Sequence, residues 1–251
     1  MLSKAFEKYV NSLRTKKGRR LHNAYVMEGE KSVKELLSSD MRWQKLIVSE
    51  SWLRSNPAVI PVNDKRVVVC TEIQMEKVTS LQTAPPLLAV VDIPLYDSLP
   101  DFSGFAFVLD GIQDPGNLGT VVRTADWFGV DTVFVSDDTV DAYNPKTVQA
   151  AMGSLLRVNV IERNLHDVFA HYTKAHVYAA DMNGNDLRTV RVTEPALLII
   201  GNEGSGIRDE WKPYIHTTLT IPKFGDAESL NASVAAAVVC AWWRLNAKIE
   251  L

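Results

Sequence analysis

The stretch Val108–Ala125, VLDGIQDPGNLGTVVRTA, constrains this chain more than any other. Phe105–Leu109 is a short apolar run of the kind a buried strand requires, and Asp114-Pro115-Gly116 breaks it. Asn117 then stands where a helix N-cap would stand, its amide oxygen able to accept from an unpaired backbone N–H. Leu118, Val121, Val122, Ala125 and Phe128 recur at helical spacing up to Gly129, a residue suited to the C-terminal stop. The unit is strand, glycine-bearing turn, helix, and a helix start beyond a strand presents free N–H groups to a polar ligand. Arg123 sits beside the apolar stripe, where packing alone does not ask for a guanidinium. Taken singly, Asn117 reads as a cap, Gly119 as a close-packing glycine and Arg123 as a surface cation. The glycine spacing matches neither a dinucleotide fingerprint nor a P-loop.

With 251 residues the chain has room for one large domain or two modest ones. A hydrophobic content of 46% with 23% charged residues is that of a soluble globular protein. The net charge of −3 argues against a protein that coats nucleic acid over its whole surface, but leaves room for a local basic patch. Such a patch exists: RTKKGRR packs Arg14, Lys16, Lys17, Arg19 and Arg20 into one segment. It reads either as a solvated loop or as a phosphate-contacting surface. Cys70 and Cys240 are far apart and lack metal-ligand spacing, as expected of buried thiols in a reducing compartment. No stretch reaches the length of a membrane span, and MLSKAFEKYV carries charges where a signal peptide needs apolar residues, so a cytoplasmic location is expected.

Residues 1–92 alternate helical and strand-like segments, with strands at Ala24–Met27, Lys45–Val48, Val67–Cys70 and Leu87–Val91, and predict a small α/β domain. Residues 93–104, rich in Pro and Ser, read as a linker. Residues 105–251 read as a second α/β domain. Its strands are expected at Phe105–Leu109, Thr132–Val135, Leu155–Val160, Val177–Ala180, Leu197–Ile200 and Thr217–Ile221, with a helix over Tyr143–Ala151 and a turn at Asn183-Gly184. Asn231–Leu245 is a helix apolar nearly all round, which predicts burial on several sides. Three loops each follow an apolar strand: Asp114–Gly119, Gly201–Gly206 and Pro222–Asn231. Ligands of open α/β sheets bind beyond the carboxyl ends of strands, so these loops are placed to wall one site. No metal site is expected. His166, His171 and His176 are five apart and share no helix face, and Asp181–Val192 fails as a calcium loop.

The three loops, in this order, resemble the SpoU (TrmH-type) branch of the SPOUT RNA methyltransferases. The first motif, Asn-x-Gly-x-x-x-Arg-x-Ala, stands as Asn117, Gly119, Arg123 and Ala125. The second stands as LLIIGNEGSG at Leu197–Gly206, and the third as Ile221-Pro222 with SLNASVAAA at Ser229–Ala237. MGSLLRV at Met152–Val158 is also similar to the family, and residues 1–92 are similar, more loosely, to its RNA-binding front domain.

The resemblance implies a SPOUT-type parallel sheet with a trefoil knot, S-adenosyl-L-methionine (AdoMet) as cofactor, methylation of a ribose 2′-hydroxyl in RNA, and a homodimer with sites near the interface. It places the cofactor against Gly201, Ile221, Leu230 and Ser233, and assigns the chemistry to Arg123, Asn117, Glu203 and Asn231. Because arginine stays protonated, Arg123 is expected to clamp a phosphate and stabilise charge on the 2′-oxygen, not to act as a base. The basic segment is the expected RNA contact. The two-domain layout favours ribosomal over transfer RNA as substrate. The competing readings are a non-catalytic RNA-binding protein on the same fold and a small-molecule α/β enzyme using the same cleft.

Overall fold

The computed structural model describes residues 2–57, 59–60, 63–102 and 104–246. They form two compact units: residues up to Leu95 together with Tyr143–Leu156, and Tyr96–Ala142 with Arg157 onward.

The first unit contains α1 (Lys4–Ser12), α2 (Lys16–His22), β1 (Ala24–Glu28), α3 (Glu30–Leu37), β2 (Trp43–Ser49), α4 (Glu50–Ser55), β3 (Val67–Cys70), α5 (Glu72–Glu76) and β4 (Leu87–Asp92). The sheet order is β1-β4-β2-β3, with β4 antiparallel to both neighbours and β2 parallel to β3. The LLAVV run of β4 has no polar face because it is a central strand, buried throughout. One side of the sheet packs Val26, Ile47, Leu88 and Val90 against Val10 and Leu13 of the first helical segment and Met75 of α5. The basic segment is not a loop. Thr15 caps α2, accepting from Gly18 N at 3.1 Å, and Asn23 ends the helix at a φ of 46°.

The second unit opens with β5 (Phe105–Asp110), α6 (Pro115–Trp127) and β6 (Thr132–Val135). The next helix, α7 (Pro145–Ala151), and the 3₁₀ turn Ser154–Leu156 belong to the first unit, where Tyr143 lies 4.8 Å from the Tyr25 ring of β1. The chain returns with β7 (Asn159–Glu162), α8 (Leu165–His171), β8 (His176–Asp186), β9 (Ala196–Gly201), β10 (Thr217–Thr220) and α9 (Ala232–Asn246). The six strands run in the order β10-β8-β9-β5-β6-β7, and every neighbouring pair is parallel. This is the parallel α/β sheet expected above. Ala106, Val108, Phe134, Leu197 and Ile199 form one face with Leu165 and Val168 of α8. Phe105 on the other face meets Trp243 of α9 at 4.6 Å between ring centroids.

Three local expectations are corrected. Asn117 does not cap α6: Asp114 does, accepting from Asn117 N at 2.9 Å, with Pro115 in the first turn. The strand expected at Leu155–Val160 is a 3₁₀ turn followed by β7. The turn expected at Asn183-Gly184 lies within an excursion of β8: Thr218 pairs with Ala179 but the next residue, Leu219, pairs with Asn185, so residues 180–184 loop out between them. Helix α9 is buried along one face, not on several sides. Ala236, Val239, Cys240 and Trp243 are buried, but Val234, Val238 and Leu245 are exposed. No helix among the described residues is long and apolar enough to cross a membrane.

Candidate active site

Strands β5 and β9 are neighbours at the centre of the parallel sheet, and the chain leaves β5 toward β6 on one side while β9 pairs with β8 on the other. That reversal of strand order marks their carboxyl ends as the usual ligand position in such sheets. The β5–α6 turn and the glycine-rich turn after β9 both stand there.

Four of the sequence-selected polar residues meet at this point. Asn117, freed from capping by Asp114, donates from Nδ2 to Glu203 Oε1 at 2.8 Å. Its Oδ1 accepts from Asn231 Nδ2 at 3.0 Å and from Ser233 Oγ at 3.4 Å. Asn231 is the residue that caps α9: its Oδ1 accepts from Ser233 N at 2.9 Å and from Ser233 Oγ at 2.6 Å. Residues 86 and 114 positions away from Asn117 thus share its single amide. Their common orientation also fixes which end of that amide is oxygen, since Glu203 can only accept when ionised. Ser233 is buried, whereas Glu203 and Asn231 face solvent.

The turn after β9 is tight. A Cβ on Gly201 would stand 2.3 Å from Gly206 C and 2.5 Å from Ile207 N, so only glycine fits. Asn202 and Gly206 exchange both backbone hydrogen bonds, at 3.0 and 2.9 Å. Asn202 Nδ2 donates to Gly111 O at 2.7 Å, and its Oδ1 accepts from Gly204 N at 2.9 Å and Ser205 N at 3.1 Å. By contrast, the Pro222–Leu230 segment makes no hydrogen bond among the described residues. Ile221 is half-buried, and Leu230 is exposed.

Arg123 is not part of the Asn117 network. It is exposed, and no hydrogen bond or ion pair engages it among the described residues. Six residues along α6 carry it about 9 Å along the helix axis from Asn117 and well round the helix. The basic segment divides as well. Arg19 is buried, at 2% exposure, and its Nη1 donates to Leu13 O at 2.8 Å, so it braces the α1–α2 turn and is corrected as an RNA contact. Arg14 donates from Nη2 to Thr79 O. Lys17 and Arg20 are exposed, and Lys16 is half-buried.

Sequence reasoning missed Asp110 and Arg208. Asp110 ends the otherwise apolar β5 and its side chain has no solvent exposure. Arg208 donates to it from N at 2.9 Å and from Nε at 2.6 Å. The Asp110 hydrogen bond raises the Arg208 pKa further, against the opposing effect of desolvation. A charged residue closing a buried apolar strand was the available signal. Burial pushes the Cys240 thiol up to about 12 and Cys70 to about 11, leaving neither reactive near neutrality. Among the described residues no group of three or more His, Cys, Asp or Glu side chains is placed to hold a metal ion.

Residues 104–241 match the SpoU rRNA Methylase family, and residues 7–89 match an MRM3-like substrate binding domain. A 23S rRNA (guanosine(2553)-2′-O)-methyltransferase of Bacillus subtilis is 34% identical over 234 residues, spanning 90% of this chain and 91% of the relative. A protein of Porphyromonas gingivalis, solved as an RNA methyltransferase of the TrmH family, superposes with a TM-score of 0.88 at 38% identity, covering 98% of this chain and all of that one. An AdoMet-bound rRNA methyltransferase from Sinorhizobium meliloti superposes with a TM-score of 0.86 at 26% identity, covering 98% and 96% of the two chains. The parallel sheet, the convergence of three motif loops and these likenesses lead to one assignment: the chain belongs to the SpoU rRNA methylase family.

Proposed function

We propose that this protein is an AdoMet-dependent methyltransferase acting on a ribose 2′-hydroxyl of ribosomal RNA. One observation carries the reading: Asn117, Glu203, Asn231 and Ser233, drawn from three separate loops, join in one hydrogen-bonded cluster beyond the central strands.

The residues present fit the cofactor. Gly201 lies in a turn where backbone approaches backbone too closely for any side chain. Pro222–Leu230 offers donors and acceptors that no described residue uses. Such surfaces bind through main-chain groups and aliphatic contact, which suits an adenosine moiety held by Gly201, Ile221, Leu230 and Ser233. When bound, AdoMet supplies a methyl group already activated on a sulfonium. The protein's part is therefore to place the hydroxyl and lower the cost of charge on its oxygen. Glu203 spends Oε1 on Asn117, and Oε2 is left to accept from a ribose hydroxyl. Asn117 and Asn231 keep Glu203 from rotating. Arg123 serves as a cation that clamps a phosphate and stabilises the 2′-oxygen as its proton departs.

The working unit in this reading is a homodimer. Arg123 and Trp127 are one turn apart on the same face of α6, and α6 packs beside α9. Trp127 is 84% exposed and Leu245 83%, with Val234 and Val238 completing an open apolar stripe along α9. A second copy seated on this stripe would cover it and carry Arg123 toward the partner's Asn117 cluster. The first unit, with Lys16, Lys17 and Arg20, would grip the RNA backbone.

The test is transfer of tritiated methyl from AdoMet to ribosomal RNA, followed by mapping of alkali-resistant linkages. One labelled ribose is expected. No transfer to naked rRNA or to ribosomal subunits overturns the proposal, and label confined to transfer RNA would replace its substrate. Arg123→Ala is expected to keep AdoMet binding and lose transfer by 100-fold or more on the scale of an electrostatic clamp, ~10²–10³.

A further inference from the structure

The turn that carries Glu203 is held at two points, one on each side of it. In front, Asn202 Nδ2 donates to Gly111 O at 2.7 Å. Behind, Arg208 donates to both oxygens of Asp110: its backbone N to Oδ2 at 2.9 Å and its Nε to Oδ1 at 2.6 Å. The front hold is neutral and exchangeable with water. The rear one is a charge pair whose carboxylate is completely buried. A buried carboxylate that loses its partner is left with a desolvated, uncompensated charge, so Arg208 cannot swing away without large cost.

The pair also has a third support. Arg208 Nη2 reaches Asp138 Oδ1 at 3.3 Å, Asp138 Oδ1 accepts from Ser136 Oγ at 2.6 Å, and Ser136 Oγ accepts from Gly111 N at 2.9 Å. The carboxyl ends of β5, β6 and β9 are thereby tied together. Asp110 and Asn117 lie on the same strand–turn–helix unit, seven positions apart, with Asp114 capping the helix between them. Fixing Arg208 on Asp110 therefore fixes the β9 turn relative to Asn117. Because Arg208 uses its main-chain N–H as well as its guanidinium, the constraint falls on the backbone of the turn itself.

We propose that Arg208 is a positioning residue for methyl transfer, acting through Asp110 to hold Glu203 opposite Asn117. This rests on the methyltransferase reading above. Arg208 touches no reacting atom. Its contribution is the register of the Glu203–Asn117 hydrogen bond, and displacement of such a group by about 1 Å costs on the order of 10²-fold in rate.

The experiment compares the full-length parent with Arg208→Lys, Arg208→Gln and the double variant Arg208→Gln/Asp110→Asn. AdoMet-binding sites are counted by titration, and kcat and the KM for rRNA are measured per binding site. Arg208→Lys keeps the charge but lacks the planar fork that serves Asp110 and Asp138 together. The double variant removes the buried charge as well and so keeps a foldable chain. Both are expected to lose about 10- to 100-fold in kcat per site, with the rRNA KM within about 3-fold of the parent. Arg208→Gln alone is expected to be no better than the double variant, since it leaves Asp110 unpaired. Parental kcat per site in Arg208→Lys and in the double variant, even with a lowered melting temperature, means a role in folding only and overturns the inference. So does a loss confined to KM. A parent that binds AdoMet yet transfers no methyl to RNA refutes the underlying reading instead, and the inference falls with it.

Discussion

Replacing Gly201 by alanine is the sharpest test of the glycine-rich turn, because its effect can be worked from distances. The added Cβ would lie 2.3 Å from Gly206 C and 2.5 Å from both Gly206 O and Ile207 N. All three are main-chain atoms, so no side chain can swing aside. Restoring ordinary contact requires the two arms of the turn to part by about 1 Å, which breaks the paired Asn202–Gly206 backbone bonds. Two such bonds are worth about 1 kcal/mol each, and the ligand-facing backbone moves with them. The expected result is AdoMet binding about 30- to 100-fold weaker, ~2–2.7 kcal/mol. Isothermal titration calorimetry measures it, and circular dichroism confirms that the fold persists. Gly204→Ala is the matched control. A Cβ there meets only Asn202 Oδ1 at 3.6 Å, an ordinary contact, so affinity within 3-fold of the parent is expected. If Gly201→Ala binds AdoMet like the parent, or if the two glycines respond alike, the steric reasoning is wrong.

Further outcomes follow from other parts of the molecule. Replacing Lys16, Lys17 and Arg20 together by alanine should weaken RNA binding most at low salt and flatten the log–log salt dependence by up to about 2, as read by filter binding at several salt concentrations. Arg19→Ala should instead lower the melting temperature. Val238→Glu places a charge on the open stripe of α9 and should shift the protein to monomer in light scattering while abolishing transfer; a variant that remains dimeric counts against that interface. Desolvation, then the nearby His216, lowers the pKa of His176 below its usual 6.5. The unfolded chain therefore binds this proton more readily, and stability should fall as pH drops through about 6.5 toward the lowered value. His176→Asn should flatten that slope in urea unfolding at pH 7.5 and 5.5; equal slopes would exclude His176 as its source.

Two of the loops were legible because they follow the apolar, buried strands β5 and β9, and the third because Pro222 breaks the chain after the threonine-rich β10. The polar residues of those loops do meet, as Asn117, Glu203 and Asn231 demonstrate. Local pattern misjudged which residue caps α6, since Asp114 and Asn117 are both good caps and only the proline between them settles the start. Asp110 is marked as a charge closing an apolar strand, but its pairing with Arg208 was not legible, for a different reason. They lie 98 residues apart, and nothing local marks a carboxylate for a distant guanidinium. The open face of α9 escaped notice because apolar composition requires cover without saying from which molecule. Periodicity identified the helix at Tyr143–Ala151 but could not say that it packs with Tyr25, more than a hundred residues earlier.

That last arrangement bears on how the molecule is born. A nascent chain released as far as Leu95 holds all four strands of the first sheet but not the helix that lies on β1, and its Tyr25 side would stay wet. The sheet must wait, half clothed, while β5, α6 and β6 are made, and is finished only when residue 156 has cleared the ribosome. Cutting the gene at the linker would accordingly yield a front piece that is sticky and short-lived, whereas splicing residues 143–156 onto it through a flexible tether should give a piece that stands alone.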